Sequence, residues 1–178
     1  MSASLERFLD PELLDGLTGW PLDRVRTLRD EGREVEGGLS YVRRMVQGRL
    51  DIVGAELKRR REGGDPGDLS DLIAQLPDLL ADPQRSSDLA PRSPRSLDVG
   101  AVSDELAAQL DQIVDVDALS DLRSLDDEAL AATVSRVVDF EQWVSERRLK
   151  VQAVFDALQA EIVRRYRDGE ATVDGLLA

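Results

Sequence analysis

Two long stretches of the chain, residues 21–62 and 124–168, carry apolar side chains at steps of three and four residues. This spacing places the apolar side chains on one face of an α-helix and is close to the heptad pattern of a coiled coil. The alternating pattern of a β-strand is scarce. We therefore predict an all-α fold built on two long packed helices. The apolar positions are Val35, Leu39, Val42, Val46, Leu50, Val53 and Leu57 in the first and Leu130, Val137, Phe140, Val144, Val151, Phe155, Leu158 and Ile162 in the second.

Shorter segments flank the two long helices. Residues 1–20 carry leucines at roughly helical intervals around Asp10-Pro11, which predicts a short helix with Asp10 near its cap. This segment is either a frayed terminus or an amphipathic docking helix. Ser124 is the predicted N-cap of the second long helix, because acidic residues follow it. Residues 169–178 are expected to form a loose tail.

Residues 63–123, between the long helices, are rich in Pro, Gly, Ser and Asp. We predict a flexible acidic linker with short helices, one near Leu69 to Leu80 and one within residues 103–121. Residues 63–122 hold thirteen acidic and three basic side chains, so much of the net charge lies here. Such a run is usually solubilising disorder. The alternative is an acidic segment that binds a partner.

A polar pattern, Glu-x3-Ser-x2-Arg-x3-Gln-x3-Asp, occurs once in each long helix at an offset of 105 residues. On a helix its five positions form a stripe roughly 80° wide and about 22 Å long. The apolar positions repeat at the same offset, which indicates an internal duplication. Two such helices can pack antiparallel about a local two-fold axis, which turns both stripes to the same side. The ten candidate ligand-binding residues are Glu36, Ser40, Arg43, Gln47, Asp51, Glu141, Ser145, Arg148, Gln152 and Asp156.

Composition narrows the function classes. The chain has no Cys and no His, which excludes disulfides, thiol ligands and nearly all His-based acid–base or metal chemistry. It shows neither a signal peptide nor an apolar run that could span a bilayer, so we expect a cytoplasmic protein without a membrane partner. The net charge of −13 disfavours direct DNA binding and fits a basic protein partner. Carboxylates on an open helical face, without a metal-ligand set or a phosphate loop, do not indicate an enzyme.

The polar stripes suit a guanine ring. An arginine fork matches guanine O6 and N7, and a carboxylate accepts hydrogen bonds from the N1–H and the exocyclic amine. Carboxylates repel phosphate, so a ligand that presents its bases fits better than one that presents only phosphates. Two related stripes suggest a cyclic dinucleotide of guanine. The simpler alternative is an old duplication that binds no ligand.

The doubled pattern resembles the RsiG-type anti-sigma factors of Streptomyces and related actinobacteria, at all ten positions. The resemblance implies an antiparallel two-helix coiled coil whose motif helices bind a pair of cyclic-di-GMP molecules. It implies a partner of the WhiG type, a sporulation sigma factor similar to flagellar sigma factors. The ligand-bound protein would hold this sigma factor away from RNA polymerase and thereby control sporulation genes.

The resemblance also suggests individual roles. Arg43 and Arg148 would read or stack on guanines, the four carboxylates would accept hydrogen bonds from guanine edges, and the serines and glutamines would complete the polar contacts. A different hypothesis, which ignores the resemblance, is a nucleotide-independent coiled-coil adaptor. Its acidic segment would bind a basic protein, and that binding would weaken with salt.

Overall fold

The computed structural model describes residues 2–63 and 100–170. Within these ranges no strand occurs, and the predicted all-α fold with two long packed helices is confirmed. The predicted helix near residues 69–80 and residues 171–178 of the predicted tail lie outside the described part of the chain. The elements are α1 (Ala3–Leu9), a 3₁₀ turn (Leu17–Gly19), α2 (Leu22–Arg61), α3 (Ala101–Ile113), α4 (Val116–Ser120), a second 3₁₀ turn (Leu122–Ser124) and α5 (Asp127–Arg167).

The chain divides into two compact units, and both long helices contribute to each. Unit 1 comprises Met1–Tyr41, Val99–Glu105 and Trp143–Ala178. Unit 2 comprises Val42–Asp98 and Leu106–Gln142. Each repeat of the duplication therefore supplies part of both units.

In unit 1, the first part of α2 packs antiparallel against the second part of α5. The partner of Arg26 is Tyr166, and the Nη1 of Arg29 donates to the Oε1 of Gln159 at 3.4 Å, so the α5 partner moves back along the chain as α2 advances. Helix α1 contributes the buried ring of Phe8. This ring lies against α2 at Gly32, which has no side chain. The buried apolar residues of unit 1 are Leu5, Phe8, Val25, Leu28, Val35, Leu39, Val102, Val144, Val151, Leu158 and Ile162.

Unit 2 contains the remaining parts of the two long helices, also antiparallel, together with most of α3. Arg49 of α2 is buried and binds the end of α3, because its guanidinium lies 2.6 Å from the Asp111 carboxylate and donates to the carbonyl of Val114, the residue after the helix. Most predicted apolar positions are buried, but Leu50 and Phe140 of this unit are only half-buried. The buried apolar residues of unit 2 are Val42, Val46, Val53, Leu57, Leu106, Leu110, Val114, Leu122, Leu130 and Val137.

The same contact occurs in each unit: an arginine near the end of one long helix donates to backbone carbonyls just before the other. We call this arrangement the clasp. In unit 1, Arg165 donates to the carbonyl groups of Leu17, Thr18 and Trp20 at 2.9, 3.3 and 2.6 Å, and its Nε donates to Glu161 at 2.7 Å. These carbonyls belong to the 3₁₀ turn that precedes α2 and to the residue after it. The clasp therefore fixes the start of α2 to the end of α5.

The clasp of unit 2 uses the residues 105 positions away. Arg60 donates to the carbonyls of Leu122 and Leu125 at 2.7 and 2.6 Å, and its Nε donates to Glu56 at 2.7 Å. The two 3₁₀ turns are separated by the same 105 residues. The duplication thus extends beyond the two long helices to the turns that precede them.

The structure corrects two predictions of how helices begin. The N-cap of α5 is Asp126, whose Oδ1 accepts a hydrogen bond from the Ala129 N–H at 2.7 Å. The predicted cap, Ser124, belongs to the 3₁₀ turn, and its hydroxyl donates to the Asp121 carbonyl. The short N-terminal helix ends before Asp10-Pro11, since the Asp10 side chain accepts from the Glu12 N–H in a turn.

The helix ends follow the sequence signals. Basic residues occupy the last turns of α2 and α5, where their positive charges interact favourably with the negative end of the helix dipole. Gly63 and Gly169 follow with φ angles of 82° and 76°, the left-handed conformation that glycine adopts without strain. None of the helices in the described part of the chain has the length and apolar character needed to cross a bilayer.

Candidate ligand-binding surface

Unit 1 contains six of the ten candidate residues, which we call the unit 1 half-site. Glu36 is at the centre of this group, because it accepts from the Arg148 Nη1 of the other helix at 3.2 Å and from the Ser40 hydroxyl at 2.7 Å. Gln152 also lies 3.4 Å from the Arg148 Nη1. The two stripes therefore meet across the helix pair. The six residues are Glu36 and Ser40 of α2 and Ser145, Arg148, Gln152 and Asp156 of α5.

Unit 2 contains the other four candidates, Arg43, Gln47 and Asp51 of α2 and Glu141 of α5, which we call the unit 2 half-site. The Arg43 Nε donates to the Glu141 Oε1 at 3.0 Å, and the Gln47 amide lies 3.4 Å from the same oxygen. Asp51 is exposed. As in unit 1, the arginine of one motif copy pairs with the glutamate of the other.

A shallow pocket of about 170 Å³ opens in the unit 1 half-site. Three of its lining residues, Glu36, Gln152 and Asp156, were predicted to bind a ligand. Arg33 was not predicted, and Phe155 was predicted only as an apolar packing position. The Arg33 guanidinium carbon lies 5.8 Å from the centre of the Phe155 ring. Arg33 was missed because residue 138, its equivalent in the second repeat, is a valine. Its position three residues before Glu36 extends the stripe by one turn, which is the signal that could have identified it.

The paired side chains are partly accessible. The exposed fractions are 28% for Glu36 and 26% for Arg148 in unit 1, and 19% for Glu141 and 37% for Arg43 in unit 2. The Nε of Arg148 is buried and has no hydrogen-bond partner among the described residues. A buried donor without an acceptor is costly, so this arrangement of the Arg148 side chain is not the most favourable one for its guanidinium. The unit 1 half-site thus offers both hydrogen-bond donors and acceptors to a polar planar group.

Among residues 2–63 and 100–170, no cluster of Asp and Glu has the arrangement of a metal site. The half-sites instead combine arginine, carboxylate, amide and hydroxyl groups, which bind organic ligands through hydrogen bonds. The ligand role of the ten residues stays a prediction. What the structure contributes is their grouping, six in one unit and four in the other.

Comparison with known protein families gives an independent result. The family model of RsiG-like proteins matches residues 11–80 and 116–178, which include both long helices and most of the chain. A comparison with curated proteins finds no match. The family match indicates a role of the anti-sigma-factor type, with a sigma factor as partner. On this evidence the chain belongs to the RsiG-like family.

Proposed function

We propose that this protein is a cyclic-di-GMP-dependent anti-sigma factor that holds a WhiG-like sigma factor away from RNA polymerase. The observation that supports this proposal is the pairing of the two motif copies. Arg148 pairs with Glu36, and Arg43 pairs with Glu141, so each half-site needs both copies. The protein acts by binding and not by catalysis.

Guanine recognition follows from the chemistry of the paired groups. A carboxylate has several lone pairs, so Glu36 can accept from a guanine N1–H and amine while it still accepts from Arg148. The ion pair orients both side chains before the ligand arrives, which lowers the entropic cost of binding. Arginine can meanwhile donate to guanine O6 and N7. Each half-site would bind guanine groups from a pair of ligand molecules.

Regulation follows from the ligand requirement. When the concentration of cyclic-di-GMP falls, the half-sites empty and the sigma factor is released for transcription of sporulation genes. The net charge of −13 supports this choice of partner, because a DNA-binding protein presents a basic surface that an acidic one attracts.

Isothermal titration with cyclic-di-GMP, with and without the sigma factor, tests the proposal. We expect two ligand molecules per chain and tighter binding in the presence of the sigma factor. Arg43→Ala and Arg148→Ala should each weaken ligand binding by roughly fivefold to a hundredfold, because a lost arginine–base contact costs about 1–3 kcal/mol. Helicity measured by circular dichroism should not change.

Arg61→Ala is the matched control, since Arg61 is exposed in the last turn of α2 and lies outside both half-sites. It should bind like the unchanged protein. Absence of cyclic-di-GMP binding under both conditions would refute the proposal. Sigma binding that ignores the nucleotide and weakens with salt would instead identify the coiled-coil adaptor.

A further inference from the structure

Each half-site contains one glutamate, one arginine, one glutamine and one aspartate of the motif, and the unit 1 half-site also contains both serines. The residues that surround the two half-sites differ as well. In unit 1, Arg33 and Phe155 line the pocket beside Glu36, Gln152 and Asp156. The positions 105 residues away from this added pair, in unit 2, hold Val138 and Leu50. Both of these are half-buried aliphatic residues. The duplication has therefore kept the motif and changed the two residues next to it.

Phe155 gives unit 1 a group that can stack on a base. Its ring is half-buried and lines the pocket, so part of it remains accessible from the side on which Gln152 and Asp156 lie. Stacking of a base on an aromatic side chain contributes about 1–3 kcal/mol. Leu50 of unit 2 offers apolar contact without a π system.

Arg33 gives unit 1 a second positive charge in addition to the motif arginine, Arg148, which is already paired with Glu36. The pocket is lined by two carboxylates, Glu36 and Asp156, and Arg33 is the only cation among its lining residues. A cyclic dinucleotide carries two phosphate groups, which these carboxylates repel. Arg33 is exposed and within reach of a ligand in the pocket, so it can offset this repulsion. Val138 cannot do so in unit 2.

We propose that the two half-sites are unequal and that unit 1 binds the guanine dinucleotide more tightly, with a base stacked on Phe155 and a phosphate beside Arg33. This inference rests on the proposed function, since it concerns the same ligand. It adds two ligand-binding residues that lie outside the motif.

The test is titration of the full chain with cyclic-di-GMP, with and without the sigma factor. Phe155→Leu gives unit 1 the residue type that unit 2 has, and it should weaken binding on the order of tenfold. Phe140→Leu is the matched control, because it removes a half-buried ring from the same helix without touching the pocket. Its affinity should stay within twofold. Equal affinities for Phe155→Leu and the unchanged protein would overturn the inference.

Arg33→Gln provides a second test. Because Arg33 is exposed, this substitution should not disturb the packing of the core. It should weaken binding severalfold and reduce the dependence of affinity on salt, while Arg61→Gln changes neither. An Arg33 variant that binds like the unchanged protein would overturn the phosphate role. If Arg148→Ala abolishes binding but the Phe155 and Arg33 variants do not weaken it, the inequality fails and the proposed function stands. If the unchanged chain binds no nucleotide, both fail.

Discussion

Two buried glutamates, Glu56 and Glu161, each bind a pair of arginines near the end of a long helix. Glu56 and Glu161 repeat at the same offset as the motif, but sequence alone gave them no role. In the structure both are buried, with exposed fractions of 2% and 7%, and each accepts hydrogen bonds from two arginines. One arginine of each pair also donates to the backbone of a 3₁₀ turn that lies far away in the sequence, a contact that a local pattern could not reveal.

The Glu161 carboxylate should make folding sensitive to acid. Hydrogen bonds from Arg164 and then Arg165 lower its pKa from 4.5 to about 2. A carboxyl group with a depressed pKa in the folded state stabilises that state above its unfolded pKa. This contribution should therefore be complete above about pH 4.5 and be lost as the pH falls towards 2.

Urea unfolding of Glu161→Gln at pH 7 and at pH 3 measures this effect. We expect the variant to be less stable than the unchanged protein at pH 7 and the difference to shrink at pH 3. Glu146→Gln, an exposed acid on the same helix, should show little difference at either pH. A Glu161 deficit of equal size at both pH values would contradict the assignment.

At the scale of elements, the sequence predicted the two long helices and their seam, because periodicity is a local property summed over many residues. It failed at the start of α5, where Ser124 and Asp126 are both good caps by residue type. The 3₁₀ turn decides between them. That turn is held by Arg60 from the other long helix, a contact that no local pattern contains.

The N-cap of α5 should matter for stability. Replacing Asp126 with Ala removes the acceptor for the Ala129 N–H and should lower the free energy of unfolding by about 1 kcal/mol. Ser124→Ala should cost less than half as much, since its hydrogen bond lies on the exposed turn. Thermal unfolding of both variants measures the difference. A larger cost for Ser124→Ala would restore the original prediction.

One glycine of α2 is expected to be a site for stabilisation. A Cβ added at Gly48 meets no atom within 4 Å, and the equivalent residue of the second repeat is Ala153. Gly48→Ala should therefore stabilise the protein by about 1 kcal/mol through helix propensity.

The comparison is Gly32→Ala, where the new Cβ would lie 3.0 Å from the Phe8 ring and the ring must shift. We expect a smaller gain or a loss. Urea unfolding of the two variants gives the answer. A Gly48→Ala variant no more stable than the starting protein would contradict the role of propensity here.

On the scale of the whole molecule, the two units share both long helices. The fold class and the motif positions could be predicted because the duplication repeats the same apolar and polar positions in both long helices. The division into units could not, since it depends on which parts of the chain pack together. The pocket was likewise hidden, because Arg33 has a valine as its equivalent in the second repeat and Phe155 fits the repeat as one more apolar position.

Sharing of the long helices should couple the unfolding of the units. The two tryptophans, Trp20 and Trp143, both belong to unit 1, so their fluorescence reports on that unit. Circular dichroism at 222 nm reports on helices of both. We expect the two signals to follow one urea transition, because α2 and α5 run unbroken through both units. Separate midpoints would show that the units unfold independently.

The crossed pairing of Arg43 with Glu141 and of Arg148 with Glu36 bears on how such a gene can change over generations. After a duplication, one copy can ordinarily accumulate substitutions, because the other copy still performs the function. Here each motif copy supplies the charged partner of the other copy, so a substitution in either copy alters both. We therefore expect both motif copies to be retained together, even where neighbouring residues, such as those at positions 33 and 155, differ from their equivalents in the other repeat.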